Sequence, residues 1–315
     1  MDKPSLPLRI GTRASPLALA QAHMVADSLR ASLGLGQADV VIVPRTTTGD
    51  RVQDRALAEI GGKALWTKEL EAALQAGEID VAVHSMKDVE TWRPAHLGIG
   101  AILPRADVAD HFIAHGPAQS YSDLQSGARL GTSSPRRAAQ ALYLRPDLRV
   151  QLLRGNVDTR LAKLATGEVD ATLLAAAGLA RLGKSHIGHR LDPEIFLPAP
   201  AQGAIGVEYL VARTDVAQAL AAINDAPSFA AVMAERALLA GLGGNCHSPI
   251  AALARIDKDE IILRAQIFLP HGGEMQAGQV RGAQGDAAAL ALALAQQLRA
   301  QSSDALRALF AGPQS

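Results

Sequence analysis

Cysteine is almost absent: Cys246 is the only one in 315 residues. An intrachain disulfide is excluded, and so is a metal site built on several thiolates. Aromatic residues make up only 3% of the chain, and none interleave with the arginines between Arg129 and Arg190 as a base-stacking nucleic-acid surface requires. No apolar run approaches the roughly 20 residues that cross a bilayer. The segment from Met1 to Arg9 has no signal-peptide apolar core. Zero formal net charge combined with 48% apolar residues excludes a disordered chain. These absences lead us to expect a cytoplasmic protein of two or three folded domains, with neither membrane nor nucleic acid as partner.

What is present is an uneven distribution of charge. From Arg129 to Arg190 there are nine arginines and two lysines against four acidic residues, an excess of seven positive charges. Such a segment calls for an anion, and small polycarboxylates or phosphates suit it. Gly178 to Ser185 satisfies the phosphate-loop pattern, but the residues between its glycines are apolar helix formers. No helix start follows Ser185 either, so nucleotide binding is set aside. His186 and His189 form an isolated pair, and no metal site is expected.

The chain is organised around residues 78 to 89. Ile79, Val81 and Val83 read as a buried strand, with Lys87 and Asp88 at its carboxyl end. Ligands of open parallel sheets bind beyond the carboxyl ends of strands. The plainer alternative is a solvated Lys87 beside an Asp88 that caps a turn. Upstream, Leu8 to Gly11 reads as a strand and Ser15-Pro16 as the start of a helix that runs to Leu33 and exits at Gly34. Arg13 and Ser15 then stand where a helix amino terminus attracts anions, the plainer alternative being an ordinary cap beside a surface arginine. A strand is expected at Val40 to Val43, a loop acting as a lid from Arg45 to Lys63, and a helical stripe over Leu65, Leu70, Ala73 and Leu74.

The second half repeats the first. Arg9-Ile10-Gly11-Thr12 with Ser15-Pro16 returns as Arg129-Leu130-Gly131-Thr132 with Ser134-Pro135, and Gly77-Glu78-Ile79-Asp80 returns as Gly167-Glu168-Val169-Asp170. Two similar α/β lobes facing a shared cleft are expected. The first comprises residues 1–103 and 199–220, with the strand Ala204 to Leu210 returning to it, and the second comprises 104–198. From 221 to 315 the pattern changes to a smaller α+β domain with antiparallel strands. Arg136 and Arg137 fall in the first turn of the helix capped by Ser134, where cations oppose the helix dipole. Arg154, Arg160 and Arg181 are expected near strand ends. Cys246 lies in a tight loop between Asn245 and His247-Ser248-Pro249, which favours an exposed, working thiol over a packed one.

In sequence the chain resembles the porphobilinogen deaminases of tetrapyrrole biosynthesis over nearly its whole length. The likeness is carried by residues 11–22, 61–71, 84–89, 131–137, 153–161, 175–183 and 202–208 and by the Cys246 loop. It implies two periplasmic-binding-protein-like lobes plus a third domain, and a dipyrromethane cofactor joined to Cys246 through a thioether. It also implies a reaction in which four porphobilinogen molecules condense head to tail with loss of ammonia, after which water releases linear hydroxymethylbilane. Asp88 corresponds to the catalytic carboxylate. Lys87, Asp88, Ser134, Arg136 and Arg137 correspond to cofactor-holding residues, and Arg13, Ser15, Arg154, Arg160 and Arg181 to the substrate and chain-binding set. Lys63 and Trp66 belong to the lid and active-site region, with Trp66 where a phenylalanine is expected. Glu90, Pro135 and Asn245 are further departures. The resemblance implies that uroporphyrinogen-III synthase takes the product, and no heptad or large apolar surface calls for more than a monomer. The competing class is a two-lobed, non-catalytic binding protein for small anions, which would have no need of Cys246.

Overall fold

The computed structural model describes residues 6–45 and 67–310. Lys63, Trp66, Leu65 and the expected lid beyond Arg45 lie outside the described residues.

The first sheet begins with β1 (Leu8–Arg13), α1 (Pro16–Leu33), β2 (Val40–Arg45), α2 (Lys68–Gln75) and β3 (Val81–Ser85). Ser15 caps α1 by accepting the Ala18 N–H, Pro16 opens it, and Gly34 closes it in the left-handed region at φ 65°. Ala18, Gln21, Ala22, Val25, Ala26 and Leu29 are its buried residues, a helical spacing that turns one face to the sheet. With β4 (Leu97–Ile102) and β10 (Ile205–Leu210) the strand order is β2-β1-β3-β10-β4. β1 runs parallel to β2 and β3, whereas β10 runs antiparallel to both its neighbours. The strand read at 204–210 therefore lies in the first sheet, between β3 and β4. Val81 and Val83 join the core shared with α1, and Ala82 joins the one shared with α2. Burial on both faces is why β3 reads as a continuous apolar run.

The second sheet repeats this plan. It contains β5 (Asp110–Ala114), β6 (Arg129–Gly131), α3 (Pro135–Leu144), β7 (Arg149–Gln151), α4 (Val157–Ala165), β8 (Ala171–Ala175), α5 (Ala176–Arg181) and β9 (His189–Arg190). The order is β7-β6-β8-β5-β9, with β6 parallel to β7 and β8, and β5 antiparallel to β8 and β9. Residues 178 to 181 of the phosphate-loop match are helical. Arg181 ends α5 and so stands one helix beyond its strand. After β10, α6 (Thr214–Ala221) adds Val216, Ala219 and Leu220 to the core of the first sheet. The third sheet, β11 (Ile250–Asp257), β12 (Glu260–Phe268) and β13 (Met275–Ala283), is antiparallel. α7 (Ala226–Gly241), α8 (Ala287–Gln301) and α9 (Asp304–Leu309) contribute to its core through Leu238, Leu294 and Leu306.

These elements group into two compact units. One is Met1–Ala106 with Gly203–Phe229, the other Asp107–Gln202 with Ala230–Ser315. The second unit contains two sheets, joined by a small cluster of Ala139, Leu197, Ala251, Phe268 and Met275.

The repeated aspartates explain why both halves begin alike. Asp80 accepts the Arg9 backbone N–H and a two-pronged pair from its guanidinium, and Asp170 does the same for Arg129. Asp80 also holds Arg213 at 3.1 Å, and its side chain is 4% exposed against 37% for Asp170. Burial works to raise the Asp80 carboxyl, but hydrogen bonds from Arg9 and Arg213 outweigh it and hold the pKa below the usual range. Such a group contributes stability that is present above its unfolded pKa and lost as pH falls through the folded one. Asp80→Ala should therefore cost about 1–3 kcal/mol in urea unfolding at neutral pH and Asp170→Ala under about 1 kcal/mol. The difference should shrink in acid; equal costs at neutral pH would contradict the assignment.

Candidate active site

In the first unit the carboxyl end of β3 passes into a single 3₁₀ turn, Met86–Asp88, closed by a hydrogen bond from the Val89 N–H to the Met86 carbonyl. The Met86 N–H donates to the Ala204 carbonyl, and the Met86 side chain is 1% exposed. Lys87 and Asp88 are left half-buried at the strand end. Gln21, buried in α1, meets the Ser85 hydroxyl at 2.8 and 3.0 Å through its amide nitrogen and oxygen. Ser85 is thereby fixed one residue before the turn.

A cavity of about 60 Å³ opens here, lined among others by Arg13, Ser15, Gln21, His84, Ser85 and Asp88. Arg13 ends β1 and Ser15 caps α1, so the amino terminus of that helix borders the cavity that contains Asp88. One wall offers positive charge and backbone donors, and the carboxylate is the opposing charge. A ligand bearing both a carboxylate and a cationic or N–H-donating centre matches that arrangement.

In the second unit Ser134 caps α3 by accepting the Arg137 N–H. Arg136 and Arg137 are buried, and both guanidinium groups reach Asp110, at 2.7 and 2.6 Å. Arg136 also donates to the Leu197 carbonyl and Gln140, and Arg137 to the Leu173 carbonyl. Gln202 adds a third donor to Asp110 at 3.0 Å. Burial alone would raise the Asp110 carboxyl, but the two guanidinium charges hold it well below the usual carboxylate range. This pairing offsets the unfavourable placement of two cations in a first helical turn. Arg160 donates to the Gly155 carbonyl and the Ser133 hydroxyl. Arg154 is buried just before Gly155, whose φ of 119° suits glycine. Burial pushes the half-buried Arg181 guanidinium down to about 10.

Cys246 is exposed in the loop between α7 and β11. Asn245 shapes that loop: its side chain accepts the His247 N–H, its carbonyl accepts the Ser248 N–H, and its own N–H donates to the Ser248 hydroxyl. The inserted asparagine thus supplies an Asx turn that holds up the thiol.

Sequence reasoning misses Asp110, Glu208 and Arg93. Glu208 is the lone charge inside the strand IGVEYL, which is the pattern of a buried, paired carboxylate, whereas Asp110 opens β5 beside Asp107 and His111 and carries a weaker signal. Arg93 carries no local signal, because its main partner lies far along the chain. Among the described residues no group of histidine, cysteine and carboxylate side chains could hold a metal ion.

Two family descriptions match the chain: "Porphobilinogen deaminase, dipyromethane cofactor binding domain" over residues 8–218 and "Porphobilinogen deaminase, C-terminal domain" over residues 229–300. A porphobilinogen deaminase of Sphingopyxis alaskensis is 58% identical over 311 residues, covering 98% of each chain. One from Paracoccus denitrificans is 50% identical over 95% of this chain and 96% of its own. One from Nitrobacter winogradskyi is 47% identical over 99% and 98%. Among solved structures, the periplasmic VFT2 domain of Bordetella pertussis BvgS aligns with a TM-score of 0.42 at 16% identity, over 69% of this chain and 86% of that one.

Gly206 of β10 lies against the Asp88 turn, and a Cβ there would fall 2.0 Å from the Met86 sulfur. Gly206→Ala should therefore displace Met86, costing about 1–3 kcal/mol in denaturant unfolding and lowering turnover with it. Unchanged stability would mean that the contact is slack.

Proposed function

The chain belongs to the porphobilinogen deaminase family, and on that premise we propose how its residues divide the work of building hydroxymethylbilane from porphobilinogen. The reaction joins four porphobilinogen units head to tail. In each cycle the aminomethyl C–N bond breaks, ammonia leaves, and the methylene carbon bonds to the free α-carbon of the preceding pyrrole, which gives up its proton. Release breaks the bond between the first unit's methylene carbon and the pyrrole that precedes it: the methylene takes the hydroxyl of water and the α-carbon it leaves takes the proton.

The residues suit a dipyrromethane on Cys246. The thiol is exposed on a loop fixed by its own hydrogen bonds. The remaining set is cationic or hydrogen-bond donating, as the acetate and propionate arms of pyrroles require. When bound, the dipyrromethane supplies the first nucleophilic pyrrole carbon. Lys87, Ser134, Arg136 and Arg137 are assigned to its carboxylate arms. Because Arg136 and Arg137 are buried against Asp110, they set the fold of that site as well as its charge.

Asp88 accepts pyrrole N–H groups and stabilises the cation formed on the substrate as ammonia departs, and the observation that carries this is its carboxylate in the cavity beside Arg13 and Ser15. Arg13, Arg154, Arg160 and Arg181 neutralise the carboxylates that accumulate as the chain grows, Ser15 hydrogen-bonds them, and Lys63 and Trp66 are assigned to the same substrate set. We retain the three-domain division at 1–103 with 199–220, 104–198 and 221–315. The enzyme acts as a cytoplasmic monomer whose product passes to uroporphyrinogen-III synthase.

Asp88→Asn should lower ammonia release from porphobilinogen by about 10²–10³-fold or more while circular dichroism and unfolding stay those of the parent. Parental activity in the variant would remove the role assigned to Asp88.

A further inference from the structure

The turn that bears Asp88 is tethered at both ends to one buried carboxylate. Glu208, in the middle of β10, is 0% exposed. On the near side it meets His84 Nε2 at 3.2 Å, in the strand that leads into the turn. On the far side Arg93, five residues past Asp88, donates Nε and Nη2 to its two oxygens at 2.8 and 2.9 Å. The remaining Arg93 nitrogen, Nη1, reaches Glu90 at 2.8 Å and Glu71 of α2 at 2.9 Å. The Thr67 hydroxyl lies 2.6 Å from Glu71 and 2.9 Å from Glu90. Residues 85 to 92 thus form a loop whose two feet, His84 and Arg93, stand on Glu208.

Burial works to raise the Glu208 carboxyl, but hydrogen bonding and charge from His84 and Arg93 outweigh it and hold the pKa at about 2. The ionised carboxylate can only accept, so His84 Nε2 carries the hydrogen. A planar guanidinium fork fixes direction as well as distance, which an ammonium cannot do. Glu90 lies within the loop and binds the same guanidinium.

We propose that Arg93 is a positioning residue for the condensation: by clamping the far end of the 85–92 loop to Glu208, it fixes where the Asp88 carboxylate stands. This rests on the reading of Asp88 as the catalytic carboxylate. A displacement of about 1 Å at a reacting group costs on the order of 10²-fold in rate, so the loss belongs in kcat and leaves KM for porphobilinogen nearly unchanged.

The test measures ammonia release by cofactor-loaded enzyme, with loading checked by intact mass, for Arg93→Lys, Asp88→Asn and the combination. Arg93→Lys should lower kcat about 10–100-fold with KM within about twofold. In the Asp88→Asn background it should lower kcat no further, because there is no carboxylate left to position. A loss of the same factor in both backgrounds overturns the proposal while leaving Asp88's role intact. Parental activity in Asp88→Asn alone removes the premise instead, so the two failures are distinguishable. If Arg93→Lys does not fold, Arg93→Met with Glu208→Leu replaces the buried pair by apolar side chains, an exchange that cores tolerate. That variant should keep its unfolding midpoint and show the same loss of kcat. Parental kcat in it, or in folded Arg93→Lys, overturns the proposal.

Discussion

A carboxylate removed from water must be met by donors on nearly every side, or its burial costs more than the fold can supply. Among the described residues Asp110, Glu208 and Glu235 are 0% exposed, and each ties together segments distant in sequence. Asp110 gathers two arginines from the first turn of α3 and Gln202 from the segment where the chain leaves the second lobe. Glu208 holds both feet of the Asp88 loop. Glu235 accepts the backbone N–H groups of Ala201 and Ala254, joining α7 to that exit segment and to β11. Removing one donor would leave a buried charge exposed to no solvent, so each junction is fixed in geometry.

The half-buried Lys87, Asp88, Arg13 and Arg160 are assigned to pyrrole carboxylates and N–H groups, together with the buried Arg136, Arg137 and Arg154. The fully buried carboxylates set the directions of the backbone that presents them. Each lobe supplies the same scaffold, a parallel strand followed by a serine-capped helix that begins with proline. An anion-attracting helix terminus is therefore repeated along with the fold.

Much of this is legible in the sequence because its causes are local. Ser15-Pro16 and Gly34 bound α1 where their capping chemistry dictates, and the near-repeat of Gly77-Glu78-Ile79-Asp80 at 167–170 predicts two sheets of one plan. The third sheet is readable from alternation and the short turn at Asp257-Lys258-Asp259. What cannot be read depends on distant partners. Glu208 and His84 are 124 residues apart, and no short window of sequence contains both. That Asp110 engages both Arg136 and Arg137 is not legible either, because it lies 26 and 27 residues earlier in the chain. Arg181 is expected at a strand end, but the short helix α5 carries it six residues past β8.

The central claim is that Cys246 carries a primer of two linked pyrroles from which the product is built. Its most direct test is the intact mass of the denatured protein beside Cys246→Ala prepared in the same way, each measured before and after incubation with porphobilinogen. The account predicts an added mass of two linked pyrrole units on the parent chain, present at isolation or acquired on incubation, and none on the variant. A parent chain that keeps its bare mass after incubation, or a variant that gains the same adduct, would contradict it.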